Sequence, residues 1–131
     1  MPLQALDHYT IQCVDLEATR DFYRDVFGLE VGPRPNFGFP GYWLYCGDVP
    51  VVHLLGADGA LVENRDTKIN GRTGALDHIA FRGVDPQSTV AALKRHGIAF
   101  RENEVRDFGL HQVFVRDPTG IMVEMNFRVA Q

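Results

Sequence analysis

The sequence predicts an α+β fold: two tandem βαβββ units that form a cupped mixed sheet. Three observations lead there. The tetrapeptide ALDH occurs at Ala5–His8 and again at Ala75–His78. Each copy opens an alternating apolar stretch, LDHYTIQCV or LDHIAFRGV, of the kind that forms a half-buried strand. Each stretch is then followed by a helical segment bounded by Asp and Gly.

The repeat runs the length of the chain. Val14-Asp15 matches Val84-Asp85 at the same offset of 70 residues. Gly28-Leu29 matches Gly97-Ile98, Asp48 matches Asp117, and His53 matches Glu124, at offsets of 69, 69 and 71. A near-constant offset marks a duplicated structural unit. In the first copy, DLEATRDFYRDVFG places Asp15 as N-cap and Gly28 as terminator. In the second, DPQSTVAALKRHG places Asp85 as N-cap, Pro86 at the first helical position and Gly97 at the end. Three strands follow each helix, expected at 29–33, 41–46 and 50–56 and at 98–104, 110–116 and 120–127. Gly47-Asp48 and Asp117-Pro118-Thr119-Gly120 are turn signals before the last strand of each unit. The expected organisation is one domain over 1–131, with a first unit at 1–56, a polar, Gly-rich linker at 57–74 and a second unit at 75–131.

The chain has 131 residues, 45% of them apolar and 23% charged, and carries a net charge of -4. This is an ordinary globular composition, large enough for a real core. An acidic balance with scattered basic residues argues against a nucleic-acid partner. No stretch approaches the ~20 apolar residues of a membrane span. The first residues, MPLQALDHYT, lack the charged head and apolar run of a signal peptide. Cys13 and Cys46, with no CxxC spacing, suggest a reducing compartment and small buried side chains, not a disulfide. A cytoplasmic location is expected.

Strand alternation then sorts the chemistry. His8, Thr10 and Gln12 share one face of the first strand, and Tyr9, Ile11 and Cys13 the other. His78, Ala80 and Arg82 oppose Ile79 and Phe81; Val51, His53 and Leu55 oppose Val52 and Leu54; Met122, Glu124 and Asn126 oppose Val123, Met125 and Phe127. Each unit thus has an apolar face for its helix and a second face carrying a His or Glu. Two such sheets curling together would gather His8, His53, His78 and Glu124 about a cavity. Three imidazoles and a carboxylate suit a divalent transition metal. A lone strand histidine is usually a satisfied or surface group. Polar residues at all four equivalent positions are harder to explain that way.

LDHYTIQCVDLEATRDFYRDVFGLE, LDHIAF and VFVRDPTGIMVEMNF resemble the vicinal oxygen chelate superfamily, which includes glyoxalase I, bleomycin and fosfomycin resistance proteins, methylmalonyl-CoA epimerase and extradiol dioxygenases. The resemblance spans nearly the whole chain and implies a glyoxalase/dioxygenase fold with metal-ligand positions at His8, His53, His78 and Glu124. It also implies Lewis-acid chemistry on two adjacent substrate oxygens, a small-molecule substrate and a homodimer. His53 discriminates among branches. Glyoxalase I resembles a Glu there and the epimerase a Gln. Extradiol dioxygenases use two His and one Glu as ligands, matching His8, His78 and Glu124, with an acid–base His matching His53. That reading favours Fe2+ or Mn2+. The alternatives are a glyoxalase-like lyase or isomerase with Zn2+, Ni2+ or Co2+ and Glu124 as base, and a metal-free ligand-sequestering protein. Fosfomycin-resistance enzymes share the three ligands but need a cation-binding loop and a phosphonate site with no convincing counterpart here.

His111, in DFGLHQVFV, is a further acid–base candidate, weighed against a strand-end surface position. Phe37, Phe39, Tyr42, Trp43 and Tyr45 could line an aromatic mouth, although core and loop anchoring is the preferred reading for most. Arg82 could hold a carboxylate or phosphate, or cap the sheet edge. His96, at the helix end, reads as structural.

Overall fold

The computed structural model describes residues 2–56 and 73–129. It divides into two compact units, Met1–Asn70 and Gly71–Gln131. Most of the expected linker lies outside the described residues. Each unit repeats the same order. The first contains β1 (Tyr9–Gln12), α1 (Leu16–Phe27), β2 (Glu30–Gly32), β3 (Gly41–Cys46) and β4 (Val49–Leu55). The second contains β5 (Ile79–Gly83), α2 (Pro86–Arg95), β6 (Phe100–Val105), β7 (Leu110–Arg116) and β8 (Met122–Arg128).

The helices start and stop where the side chains dictate. The Asp15 carboxylate accepts from the Ala18 N–H at 3.0 Å, and the Asp85 carboxylate from the Ser88 N–H at 3.3 Å. Each cap satisfies a donor that the first helical turn leaves without a partner. At the other end, Leu29 N–H donates to the Tyr23 carbonyl and Ile98 N–H to the Leu93 carbonyl. Gly28 and Gly97, at φ 74° and 66°, make those reversals. These closures occupy residues 29 and 98–99, so β2 and β6 begin later than the alternation alone suggested. β8 starts at Met122 for a similar reason. Ile121 is held in the preceding turn, where the Asp117 carboxylate accepts from the Thr119 and Ile121 N–H groups and the Thr119 hydroxyl.

The first sheet runs β1-β4-β3-β2 and the second β5-β8-β7-β6. The first strand of each unit is parallel to its last, the other pairs being antiparallel. A parallel neighbour needs a long crossover, and the intervening helix supplies it. One face of each sheet is apolar and buried. Ile11, Leu44, Val52 and Leu54 form it in the first unit, and Val113, Val115, Val123, Met125 and Phe127 in the second. Tyr23 of α1 and Leu93 of α2 are fully buried. Cys13 is buried as expected, but Cys46 is exposed because it ends β3 at the Gly47-Asp48 turn. No described helix is long and apolar enough to cross a membrane.

Candidate functional site

The chemistry lies on the opposite face of each sheet. His8 enters β1 directly behind Asp7, whose carboxylate accepts from its Nδ1 at 2.6 Å. His78 enters β5 behind Asp77 in the same way, at 2.8 Å. A carboxylate can only accept, so Nδ1 carries the proton in both rings and the Nε2 lone pair faces away from the aspartate. A carboxylate behind a ligating imidazole is a recurrent means of orienting it for a metal. The repeated Asp-His dipeptide therefore has a physical role in both copies. Sequence reasoning used it to find the duplication and missed Asp7 and Asp77 as functional residues.

In the first unit, His53 stands in β4 opposite Trp43 of β3. The His53 ring stacks on His8, with centroids 3.6 Å apart and planes 11° from parallel. Its other face stacks on Trp43 at 4.1 Å. His53 Nε2 lies 3.0 Å from the Pro50 carbonyl and donates to it, leaving Nδ1 as the accepting nitrogen. Burial, and then the neighbouring His8, hold the His53 imidazole below the ordinary histidine pKa. Both effects favour the uncharged ring. Trp43 was expected mainly as an anchor, yet it forms one wall of this stack. Phe37, half exposed, packs on both Phe39 and Trp43.

In the second unit, Glu124 of β8 is paired with Ala80 of β5, two residues after His78. His78 Nε2 lies 3.4 Å from Glu124 Oε1. Glu124 is only 9% exposed, and its Oε2 accepts from the Asn126 amide at 2.8 Å. The Asp77 hydrogen bond raises the His78 pKa, and the Glu124 charge reinforces it. Arg82 shares this face, paired with Asn126.

The structure thus pairs His8 with His53 in the first unit and His78 with Glu124 in the second. Among the described residues, no three metal-ligating side chains form one cluster. The donor chemistry of each pair still fits a divalent ion. On the neutral His8 and His78 rings Nε2 is the accepting nitrogen, and Glu124 offers Oε1. The His8–His53 stacking does not let one ion lie in both ring planes.

His111 is a correction. Its strand partners are Glu104 and Phe127, which puts it on the apolar face, opposite from Glu124. There it pairs with Glu102 at 2.9 Å, in a cleft of about 480 Å3 also lined by Val90, Ala91 and Lys94 of α2. Strand parity decides the matter: His111 and Glu124 occupy opposite faces of one sheet. His111 therefore has no role beside Glu124.

Comparison with known proteins agrees with this architecture. The family model described as the Glyoxalase/Bleomycin resistance protein/Dioxygenase superfamily matches residues 5–125. Glyoxylase I 4 of Arabidopsis thaliana is 29% identical over 126 residues, covering 94% of this chain and 70% of the relative. The mitochondrial methylmalonyl-CoA epimerase of Mus musculus is 28% identical over 137 residues, covering 94% of this chain and 72% of the relative. Among solved structures, a glyoxalase/dioxygenase from Nostoc punctiforme has a TM-score of 0.74 at 22% identity, with 98% of this chain and 94% of that chain covered. The fosfomycin resistance protein FosX from Listeria monocytogenes has a TM-score of 0.71 at 16% identity, with 95% and 93% covered. These two likenesses concern the fold. With its duplicated βαβββ units and a family match over nearly its whole length, the chain belongs to the glyoxalase/bleomycin resistance protein/dioxygenase superfamily.

Proposed function

We propose that this protein is a metal-dependent enzyme, acting as a homodimer, that moves a proton on a small substrate bearing two adjacent oxygens. His8, His78 and Glu124 would hold a divalent ion, and His53 would be the base. When bound, the ion supplies Lewis-acid stabilisation of negative charge on substrate oxygens. The observation that carries the reading is the state of His53. It is buried, its pKa is lowered, and its Nε2 is fixed by the Pro50 carbonyl so that Nδ1 can accept. Trp43 and His8 clamp the ring from both faces, so it offers one orientation. Asp7 and Asp77 hold the two ligand imidazoles in the tautomer that leaves Nε2 accepting.

The relatives named glyoxylase I and methylmalonyl-CoA epimerase support the lyase or isomerase branch over the dioxygenase branch that the ligand set alone suggested. One observation keeps the oxygen-dependent reading as a second: a His-His-Glu set with a neighbouring His is also what extradiol chemistry uses. The test is incubation in D2O with lactoylglutathione, methylmalonyl-CoA and a catechol panel. Deuterium entering at the carbon beside a carbonyl, lost in His53→Ala without loss of metal, is the expected result. Oxygen uptake with a catechol and no exchange would replace this reading with the second.

A further inference from the structure

The second sheet carries a row of carboxamides that the proposed chemistry has not yet used. Asn103 of β6, Gln112 of β7 and Asn126 of β8 lie on one rung, Asn103 opposite Gln112 and Gln112 opposite Asn126. Asn103 Nδ2 donates to Gln112 Oε1 at 2.9 Å. Gln112 Nε2 donates to Asn126 Oδ1 at 3.0 Å. Asn126 Nδ2 donates to Glu124 Oε2 at 2.8 Å. The row crosses three strands and then turns along β8 onto the carboxylate.

Three features set this row apart from incidental sheet packing. Asn is depleted in strands, yet it stands inside β6 and again inside β8, a central strand. The row also has a direction. Glu124 as a carboxylate can only accept, so Asn126 must present its NH2 to it and its oxygen to Gln112. Gln112 must then present NH2 to Asn126 and its oxygen to Asn103. One charged end orients three amides. Finally, the described residues of the other unit hold nothing comparable. The positions matching Asn126 and Gln112 there are Leu55 of β4 and its partner Gly41 of β3, and His53 is held by ring stacking instead. The duplicated fold therefore does not itself require the row.

We propose that Gln112 and Asn126, with Asn103 behind them, are positioning residues for Glu124. They hold Oε2 and so leave Oε1, the oxygen facing His78, as the single one offered to a divalent ion. This inference rests on the reading of Glu124 as a metal ligand. Gln112 acts at a distance: it touches Asn126, and of the three amides Asn126 is the one bonded to Glu124.

The test exploits the direction of the row. Gln112→Glu keeps the shape but cannot donate to Asn126. It accepts the Asn126 NH2 instead and turns an amide oxygen toward Glu124. Gln112→Met keeps approximate volume and removes both functions. Gln112 is part-exposed, so both variants should fold, as circular dichroism would check. Calorimetric titration with Mn2+ and Zn2+, and the visible spectrum of the Co2+ form, are the readouts. Gln112→Glu should weaken metal binding by about 10-fold or more and change the Co2+ spectrum, with Gln112→Met intermediate. Equal effects of the two variants, or changes within about twofold for both, would overturn the proposal. If the parent protein takes up no metal, the reading of Glu124 as a ligand fails, and the row is judged by NMR alone. The Asn126 side-chain amide protons should then shift in Gln112→Met and in Glu124→Gln. Insensitivity to both substitutions would sink the row as a connected device.

Discussion

At the scale of single residues, the site depends on which ring nitrogen each histidine offers. Asp7 and Asp77 are largely exposed, so their hydrogen bonds to His8 and His78 contribute little to folding and chiefly select a tautomer. Asp77→Asn should therefore weaken divalent-metal binding by roughly 10-fold while leaving the urea midpoint nearly unchanged, as paired calorimetric and unfolding titrations would reveal. In metal-free protein His53 and His78 should titrate on opposite sides of the ordinary value of about 6.5. His53, depressed by burial and His8, should charge below it, and His78, raised by Asp77 and Glu124, above it. The linkage signs follow. The unfolded chain takes up the His53 proton first, so this residue removes stability as pH falls through about 6.5. The His78 contribution is fully present below about 6.5 and is lost as pH rises through its folded pKa. Ring-proton NMR titrations would check the order of the two. If His53 titrates at or above His78, its assignment as a neutral base fails.

Among the elements, glycine marks where backbone geometry is tightest. Gly28 closes α1 at φ 74°, and a Cβ there would meet nothing within 4 Å. Gly28→Ala should then cost only the left-handed backbone penalty, about 1 kcal/mol. Gly83 differs. A Cβ would come within 2.6 Å of the Phe127 ring, which is buried at 1% exposure. Gly83→Ala must push that ring out of the core, at a cost of roughly 1–3 kcal/mol. Urea unfolding of the two variants should separate these costs. A smaller loss for Gly83→Ala than for Gly28→Ala would mean that β5 and β8 do not pack as described.

For the whole molecule, metal and stability are linked. An ion that binds only the folded state adds stability by mass action, about 2.7 kcal/mol when free metal is 100 times its Kd. Protein purified without oxygen should carry close to one ion per proposed site, and chelation should lower its Tm. His78→Ala should abolish both the ion and the Tm increment, whereas His53→Ala should retain both and lose turnover. Metal content by mass spectrometry and thermal scans with added Mn2+ or Zn2+ would measure this. Loss of the ion in His53→Ala would make His53 a ligand and return Glu124 to the role of base.

The sequence by itself determined the duplicated βαβββ order, the helix caps and the strand faces that carry His8, His53, His78 and Glu124. All of these follow from local chemistry: hydrogen-bonding caps, turn residues and the period of two along a strand. It marked His8, His53, His78 and Glu124 because the repeat placed polar groups at matched positions. It could not reveal the stacking of Trp43 on His53, the donation from His53 to the Pro50 carbonyl or the carboxamide row behind Glu124. The stacking and the row depend on cross-strand register, which brings together residues distant in the chain; the bond to Pro50, three residues away in β4, depends on the ring orientation that the stacking holds. The choice for His111, between an acid–base role and a strand-end surface position, was open for the same reason. Its pairing with Glu104 and Phe127 puts it on the face opposite Glu124. Tertiary structure decided these points because adjacency across a sheet is set by how strands pair, and no single strand contains that information.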